Sequence, residues 1–335
     1  MPKTCSDLTP EREGSSPHSR GARLHLHGPT MGTHWSVRCD AAPDQDFEAL
    51  HAALQATVEQ VDAQMSPWKP DSDLMRLNRA MVDVWVELPP EILQVLARAL
   101  EISRLSAGAF DPAVGELVDA WGFGAVRDAP DAQAIRAARD RPPCPAHQGL
   151  ELGLGTGRAC KRARLQVDLC GIAKGYAVDR MAAVLQHHGI DHALAALDGE
   201  LRALGSQADG QPWAVGLESP QAGRRAAHGV LEVQDLAVAT SGDYRRFAQV
   251  GDARVAHIMD GRRAAPVHNG VASVTVLART CMDADAWATA LLVAGSSEGL
   301  ALAQRLGLEA LWLLRREGAL VEAGLGRFGS VRPGD

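Results

Sequence analysis

Two hydrophobic periods alternate along this chain. "RLHLHGPTMGTHWSVRC" (23–39) switches between apolar and polar positions, the pattern of two strands, here joined at the Gly28–Pro29 turn. "DFEALHAALQATVEQVDAQM" instead places Phe47, Leu50, Leu54, Val58, Val61 and Met65 at steps of three and four, which predicts an amphipathic helix. "PPEILQVLARALEISRLSAG" predicts a second helix, with proline at its start and Gly108 at its end. A short helical run covers 131–139, and "RPPCPAHQGLELGLGTG" after it reads as loop. From 163 the pattern becomes strand (163–169), helix (172–189), then short strands at 192–197, 201–205, 213–217, 229–234, 236–240, 253–259 and 271–278. A helix from Met282 to Ala294, another from about Ser297, and a strand pair at "EALWLLRR" and "ALVEAG" close the chain.

Strands this numerous with few crossover helices indicate an α+β fold rather than a doubly wound parallel sheet. Residues 1–22, rich in Ser, Pro, Arg and Glu, read as a disordered arm. Residues 23–335 read as a single domain or two intimate halves, long enough for a sizeable core. A net charge of −7 argues against nucleic-acid binding, and means that an anionic ligand must be met locally by a metal, helix ends or single lysines. The six cysteines form no CxxC pair, so neither a disulfide framework nor a zinc knuckle is legible. The first thirty residues hold no apolar core of signal-peptide length and no stretch is long enough to span a membrane, giving a cytoplasmic expectation for the sequence as it stands, or a periplasmic one if its start is misassigned or trimmed.

Several catalytic templates fail. "GLGTG" and "GFGAVR" are not a dinucleotide fingerprint, "GIAKGY" lacks the Walker spacing, and Ser241 in "TSGD" is not a nucleophile elbow. Three stretches carry positive signal. In "VDLCGIAKGY" a glycine turn feeding a helix exposes N–H groups at the positive end of the helix dipole, and Lys174 adds a point charge for an anion. The bland alternative is a surface lysine on a first turn. In "CMDADAWATALLVAG" Asp285 and Thr289 share one helix face, an oxygen pair suited to magnesium. The alternative is an N-terminal cap by Asp283 or Asp285, with Thr289 bonded back to a carbonyl. "VAHIMDGRRAAP" sets His257 and Asp260 at a strand end, either as an imidazole–carboxylate pair in a cleft or as structural residues. "TSGDYRRF" reads as an ordinary turn.

Taken in order, "PTMGTHWSV", "MSPWKPDSDLMRLN", "GAFDPAVGELVDAWGFG", "VDLCGIAKGYAVD", "AVATSGDYRRF", "HIMDGRRAAPV" and "CMDADAWATALLVAG" resemble the FAD:protein FMN transferase (ApbE-type) family. The resemblance covers nearly all of the chain after residue 28. It implies an α+β fold with a T-fold-like core, FAD bound in a cleft, and Mg2+ on its diphosphate. The implied reaction moves FMN from FAD to a Thr or Ser hydroxyl of an acceptor flavoprotein through a phosphoester, releasing AMP. By motif position Met31, Trp68, Ala109, Phe110, Asp111, Asp168, Lys174 and Met259 match the family's FAD contacts. Asp285 and Thr289, with main-chain oxygens of Gly171 and Ala288, match its metal ligands, and His257 and Asp260 match the HxxD element near the reacting phosphate. An FAD pyrophosphatase or a catalytically silent FAD-binding protein would use the same residues. Three positions depart from the family pattern: Asp198 stands for the first glycine of a Gly-Gly turn, Gly261 for proline, and Ala264 for glycine.

Overall fold

A computed structural model describes residues 23–40, 45–220, 226–250 and 253–329; the expected arm at 1–22 lies outside the described residues. The elements run β1 (Arg23–Thr30), β2 (Thr33–Asp40), α1 (Phe47–Met65), α2 (Asp73–Arg79), β3 (Trp85–Glu87), α3 (Pro90–Leu105), α4 (Gly115–Ala120), α5 (Ala132–Arg139), α6 (Ala146–Gly149), β4 (Leu150–Gly153) and β5 (Arg158–Lys161). They continue with α7 (Ala173–His187), β6 (Ala193–Leu197), β7 (Glu200–Leu204), β8 (Trp213–Glu218), β9 (Ala227–Val233), β10 (Ala237–Gly242), β11 (Phe247–Val250) and β12 (Ala253–Ala256). Last come β13 (Met259–Asp260), β14 (Ala265–Pro266), β15 (Val271–Ala278), α8 (Cys281–Leu306), β16 (Glu309–Arg316) and β17 (Ala319–Leu325).

The fold is α+β. Its centre is an eight-stranded sheet ordered β1-β2-β6-β7-β10-β15-β16-β17, with every neighbouring pair antiparallel. Spatial order follows chain order, so the helices are insertions between strands that still find their sequential neighbours. Helices α1, α7 and α8 cover one face, where Leu54, Val58, Tyr176, Met181, Leu291, Val274 and Trp312 belong to one continuous core. The β8–β9 hairpin covers part of the other face, seating Trp213, Val215 and Val233 on Ala203, Val238 and Leu277. Central strand β15 is therefore buried on both sides and reads as an almost unbroken apolar run. Among the described residues α8 is the one helix long and apolar enough to cross a membrane, but 67% of that apolar window is buried inside the fold, so it is a core helix here.

Four local expectations change. The β1–β2 turn is Met31–Gly32, both at positive φ (46 and 72), and Thr30 pairs with Thr33, the geometry of a two-residue hairpin loop. Gly28 instead lies inside β1 opposite Trp35, where a Cβ would come within 2.6 Å of the indole Nε1. The stretch 141–157 is not all loop: it holds α6 and β4, and the Asp111 carboxylate accepts the Ala146 N–H at 2.9 Å at the start of α6. In residues 163–169 Leu165, Val167 and Leu169 are buried, yet the segment forms no strand, only an isolated parallel bridge between Gln166 and Val114. The Asn78 side chain takes the place of a partner strand at Val167, accepting its N–H at 2.8 Å and donating to its carbonyl at 2.9 Å. The expected strand at 253–259 is two short pieces, β12 and β13, with His257 in the gap between them.

Helix α8 breaks at Gly295 (φ 80, ψ −174), close to where the sequence suggests two helices. Asn269 closes the first half by donating to the Leu292 carbonyl at 2.8 Å. That half, Cys281–Ala294, carries Asp285 and Thr289.

Candidate active site

Register brings three loop ends to one end of the sheet. Trp35 faces Leu197, and the Asp198 N–H reaches the His34 carbonyl at 3.4 Å, so the Met31–Gly32 turn flanks the Asp198–Gly199 turn between β6 and β7. Leu201 faces Val238, so β10 runs on past that same turn to Ser241. Helices α7 and α8 bring their N-terminal halves over this end.

Their approach depends on Gly175. A Cβ there would lie 2.3 Å from the Cys281 carbonyl oxygen and 2.9 Å from Asp285 Cβ, so only glycine lets the two backbones meet. The Gly175 N–H then donates to Asp285 Oδ2 at 3.0 Å. Asp179, one helical turn further along α7, accepts the N–H groups of Cys281 and Met282, both at 2.9 Å, and pairs with Arg202 at 2.5 Å. Thr280 completes the α8 N-cap by accepting the Asp283 N–H at 3.2 Å. Capping is thus done by Thr280 and Asp179, which frees Asp285 from that role. Thr289 does not bond back to its own helix; its Oγ1 lies 2.9 Å from Ser241 Oγ.

Asp285 is 4% exposed, and its pKa is pushed up to about 8, first by burial and then by the Glu200 carboxylate, with Lys174 and the Gly175 N–H opposing. Lys174 Nζ donates to Glu200 Oε1 at 2.8 Å and lies 3.6 Å from Asp198 Oδ2. Burial alone would lower the lysine's pKa, but Glu200, Asp285 and Asp198 together hold it above its ordinary value. Gly171 sits at the other side: a Cβ there would lie 3.2 Å from Thr289 Oγ1 and 3.4 Å from the Phe110 ring. The structure therefore gathers Phe110, Gly171, Lys174, Ser241, Asp285 and Thr289. Ala288 is fully buried beside Thr289 on α8.

His257 is half-buried in the gap between β12 and β13. Its Nδ1 lies 3.0 Å from the Arg246 carbonyl, so Nδ1 carries the proton and Nε2 keeps its lone pair. Burial lowers its pKa to about 4; the Arg246 and Lys174 cations add to that and the carbonyl bond opposes it, so the ring is neutral at pH 7. Asp260 does not orient this imidazole. It is 4% exposed and both of its oxygens are taken by Arg262, with Nε and the main-chain N–H on Oδ1 at 3.1 and 3.0 Å and Nη2 on Oδ2 at 3.2 Å. Trp68 is 48% exposed, with the Arg246 guanidinium 5.9 Å from its ring centre.

Other candidates have local structural partners. Asp168 accepts the Cys170 N–H at 2.7 Å, shaping the glycine turn, and Asp111 accepts the Ala113 N–H at 3.0 Å as well as that of Ala146. Burial raises the pKa of both. Ala109 is buried beside Phe110, Met259 is buried in β13, and Met31 is half-buried at its turn. Among the described residues no hydrogen bond or ring contact ties Met31 or Met259 to the cluster.

The three departures have physical accounts. Asp198 occupies a left-handed turn position (φ 56), and its carboxylate lies 2.9 Å from Arg245 and 3.6 Å from Lys174, so two cations compensate its charge. Gly261 packs where a Cβ would meet Asp111 Oδ2 and Val114 at 3.3 Å. Ala264 takes the positive φ (49) that glycine would adopt more easily.

Sequence comparison adds a frame to this geometry. The model of the ApbE family matches residues 31–312. The chain belongs to the ApbE family. It is 35% identical to the FAD:protein FMN transferase of Vibrio cholerae, over 90% of each chain, and 33% identical to that of Klebsiella pneumoniae, over 88% of this chain and 84% of the relative. Among solved structures it superposes on the flavin transferase ApbE from Vibrio cholerae with a TM-score of 0.82 at 33% identity, covering 92% of this chain and 98% of that one. The apo flavinyl transferase ApbE of Pseudomonas stutzeri gives 0.80 at 32% identity, covering 92% and 97%.

The sequence reading missed two residues in "TSGDYRRF". Ser241 partners Thr289, and Arg246 holds His257 and covers Trp68. A serine and an arginine in a turn carry no periodic signal; only the pairing of β10 with β15 and the fold of the β11–β12 hairpin bring them to the site.

Proposed function

We propose that this protein is an FAD:protein FMN transferase, moving FMN from FAD to a threonine or serine hydroxyl of an acceptor flavoprotein, with magnesium as the metal. The observation that carries the reading is the meeting of Lys174, Gly171, Asp285 and Thr289 at one sheet end, within electrostatic reach of a neutral His257.

The donor set fits an oxygen-loving cation. Among the described residues no three His, Cys, Asp or Glu side chains gather to hold a metal, so the fit rests on mixed oxygens. Asp285 offers a buried carboxylate, and Thr289 can give its proton to Ser241 and keep its own lone pairs for a ligand. Main-chain oxygens of Gly171 and Ala288 would complete the set. Bound there, magnesium would neutralise diphosphate charge and make AMP a better leaving group.

The chain's own residues do the rest. Lys174, on the first turn of α7, meets phosphate charge. Trp68 offers an exposed flat face to a flavin ring. His257 Nε2 takes the proton of the attacking hydroxyl as its oxygen bonds to phosphorus, the bond to the bridging oxygen breaks, and AMP leaves with that oxygen. Asp260, locked to Arg262, takes no part in the proton transfer and holds the turn between β13 and β14.

Incubation with FAD, magnesium and a threonine-bearing acceptor should give an FMN-sized mass increase on the acceptor and AMP in equal amount. Free FMN without acceptor labelling would make the protein an FAD pyrophosphatase. Retained FAD with no AMP would make it a silent FAD-binding protein.

A further inference from the structure

The segment from Tyr244 to Arg263 carries arginines at 245, 246, 254, 262 and 263. Four of them have oxygen partners: Arg245 with Asp198 and Glu218, Arg254 with the Tyr244 carbonyl, Arg262 with Asp260 and Glu298, and Arg263 with Asp260. Arg246 differs. Among the described residues its guanidinium has no carboxylate within ion-pair distance and lies over the face of Trp68, 5.9 Å from the ring centre.

The position of this cation is fixed by the backbone beneath it. The Arg246 carbonyl takes both the His257 N–H, at 3.3 Å, and the imidazole Nδ1, at 3.0 Å, so Arg246 and His257 close the base of the β11–β12 hairpin together. Its positive charge acts on both the His257 ring and the Cys170 thiol of the glycine turn, so the guanidinium serves the same end of the sheet as they do. A cation there, next to a half-exposed indole, is poised for an anion joined to a flat ring.

We propose that Arg246 is a substrate-binding residue that leaves Trp68 for the diphosphate of FAD when the flavin ring takes over the indole face. This inference rests on the flavin reading above and adds a residue and an exchange to it. A gap of 5.9 Å between guanidinium and ring centre is too narrow for a flavin to slide between them, so stacking on the indole face that Arg246 covers requires the arginine to move. An exposed cation–π contact is weaker than a forked guanidinium–phosphate pair, so the exchange runs downhill.

The test measures binding of FAD and riboflavin, by flavin fluorescence and by calorimetry, to wild type, Arg246→Met and Arg246→Lys, with thermal melts as a folding check. The expected result is a loss of FAD affinity of about tenfold or more in Arg246→Met with riboflavin affinity within about twofold of wild type, since one charge-assisted phosphate contact is removed and the stacking face is kept. Arg246→Lys should recover part of the loss, because charge returns without the fork. The FAD affinity of wild type should also fall more steeply with salt than that of Arg246→Met. Equal losses for FAD and riboflavin, or no loss for FAD, would overturn the assignment. Failure of the wild type to bind either flavin would overturn the flavin reading itself, and the inference with it.

Discussion

Asp285→Asn should make the metal-free protein more stable and inactive. The carboxyl titrates near 3.8 when unperturbed and at about 8 in the fold, because burial and Glu200 oppose its ionisation. A folded state that holds a proton more tightly than the unfolded chain loses stability as pH rises between those two values. At pH 7 the cost is roughly 4 kcal/mol, taking about 1.4 kcal/mol per tenfold change in the ionisation constant. Asparagine keeps an oxygen for the Gly175 N–H but buries an amide NH2, at a cost of about 1–3 kcal/mol. The net gain is then roughly 1–3 kcal/mol at pH 7 to 8, fading to nothing or a loss near pH 4 to 5, where the wild-type acid is largely protonated.

Urea melts of metal-free wild type and Asp285→Asn across pH 5 to 8 measure this directly. The two stability curves should cross, with the variant ahead on the alkaline side. Magnesium should raise the melting temperature of the wild type and leave the variant unmoved, and the variant should release no AMP from FAD. A variant less stable than wild type at pH 8 without metal would refute the reasoning, because the contacts with Lys174 and Gly175 would then outweigh the burial of the charge.

If His257 is the base proposed above, its pKa of about 4 should give kcat/KM an acid limb near that value, because the neutral ring would be the active form and is lost as pH falls through it. The limb in kcat should lie higher, because a bound diphosphate favours the imidazolium; coincident limbs would remove His257 as the base. Gly175→Ala should lower stability by about 1–3 kcal/mol or more in urea melts and weaken FAD binding, because its Cβ would force α7 and α8 apart at the Cys281 carbonyl. Asp179→Ala should cost about 2–4 kcal/mol by leaving the Cys281 and Met282 N–H groups without an acceptor and Arg202 unpaired, and circular-dichroism melts would show the loss.

Much of the fold was legible because burial imposes its period on the chain. Leu50, Leu54, Val58 and Val61 give α1 its stripe, and every one of them is buried. The reading went wrong where side chains replaced backbone partners. Leu165, Val167 and Leu169 alternate like a strand, but the segment has only a single bridge to Val114 on one side, and on the other Asn78, 89 residues from Val167, satisfies the Val167 backbone that a neighbouring strand would have paired. The Gly-Pro dipeptide at 28–29 looked like the hairpin turn, whereas the real constraint on Gly28 is the Trp35 indole across the strand pair. In both places the deciding atom is far away in sequence, where no local pattern records it.

The same distinction runs through the site. Asp285 and Thr289 share a face by helical spacing alone, but whether that face is a cap depends on Thr280 and Asp179, and Asp179 arrives from α7. His257 and Asp260 sit three apart and invite the reading of a catalytic pair; the fold divides them, giving the imidazole to the Arg246 carbonyl and the carboxylate to Arg262. That division has a chemical consequence. An imidazole oriented by a neutral carbonyl gains little from it, and burial with the Arg246 and Lys174 cations outweighs the one opposing carboxylate, Asp243, so the ring stays a weak base in the free protein. Under the proposed function, the anion that would raise its basicity is the substrate's own diphosphate, which would tie proton uptake from the acceptor hydroxyl to the presence of FAD. Asp260→Asn should accordingly leave the acid limb of kcat/KM where it is while lowering stability through Arg262, and a shift of that limb by one pH unit or more would put the carboxylate back beside the imidazole.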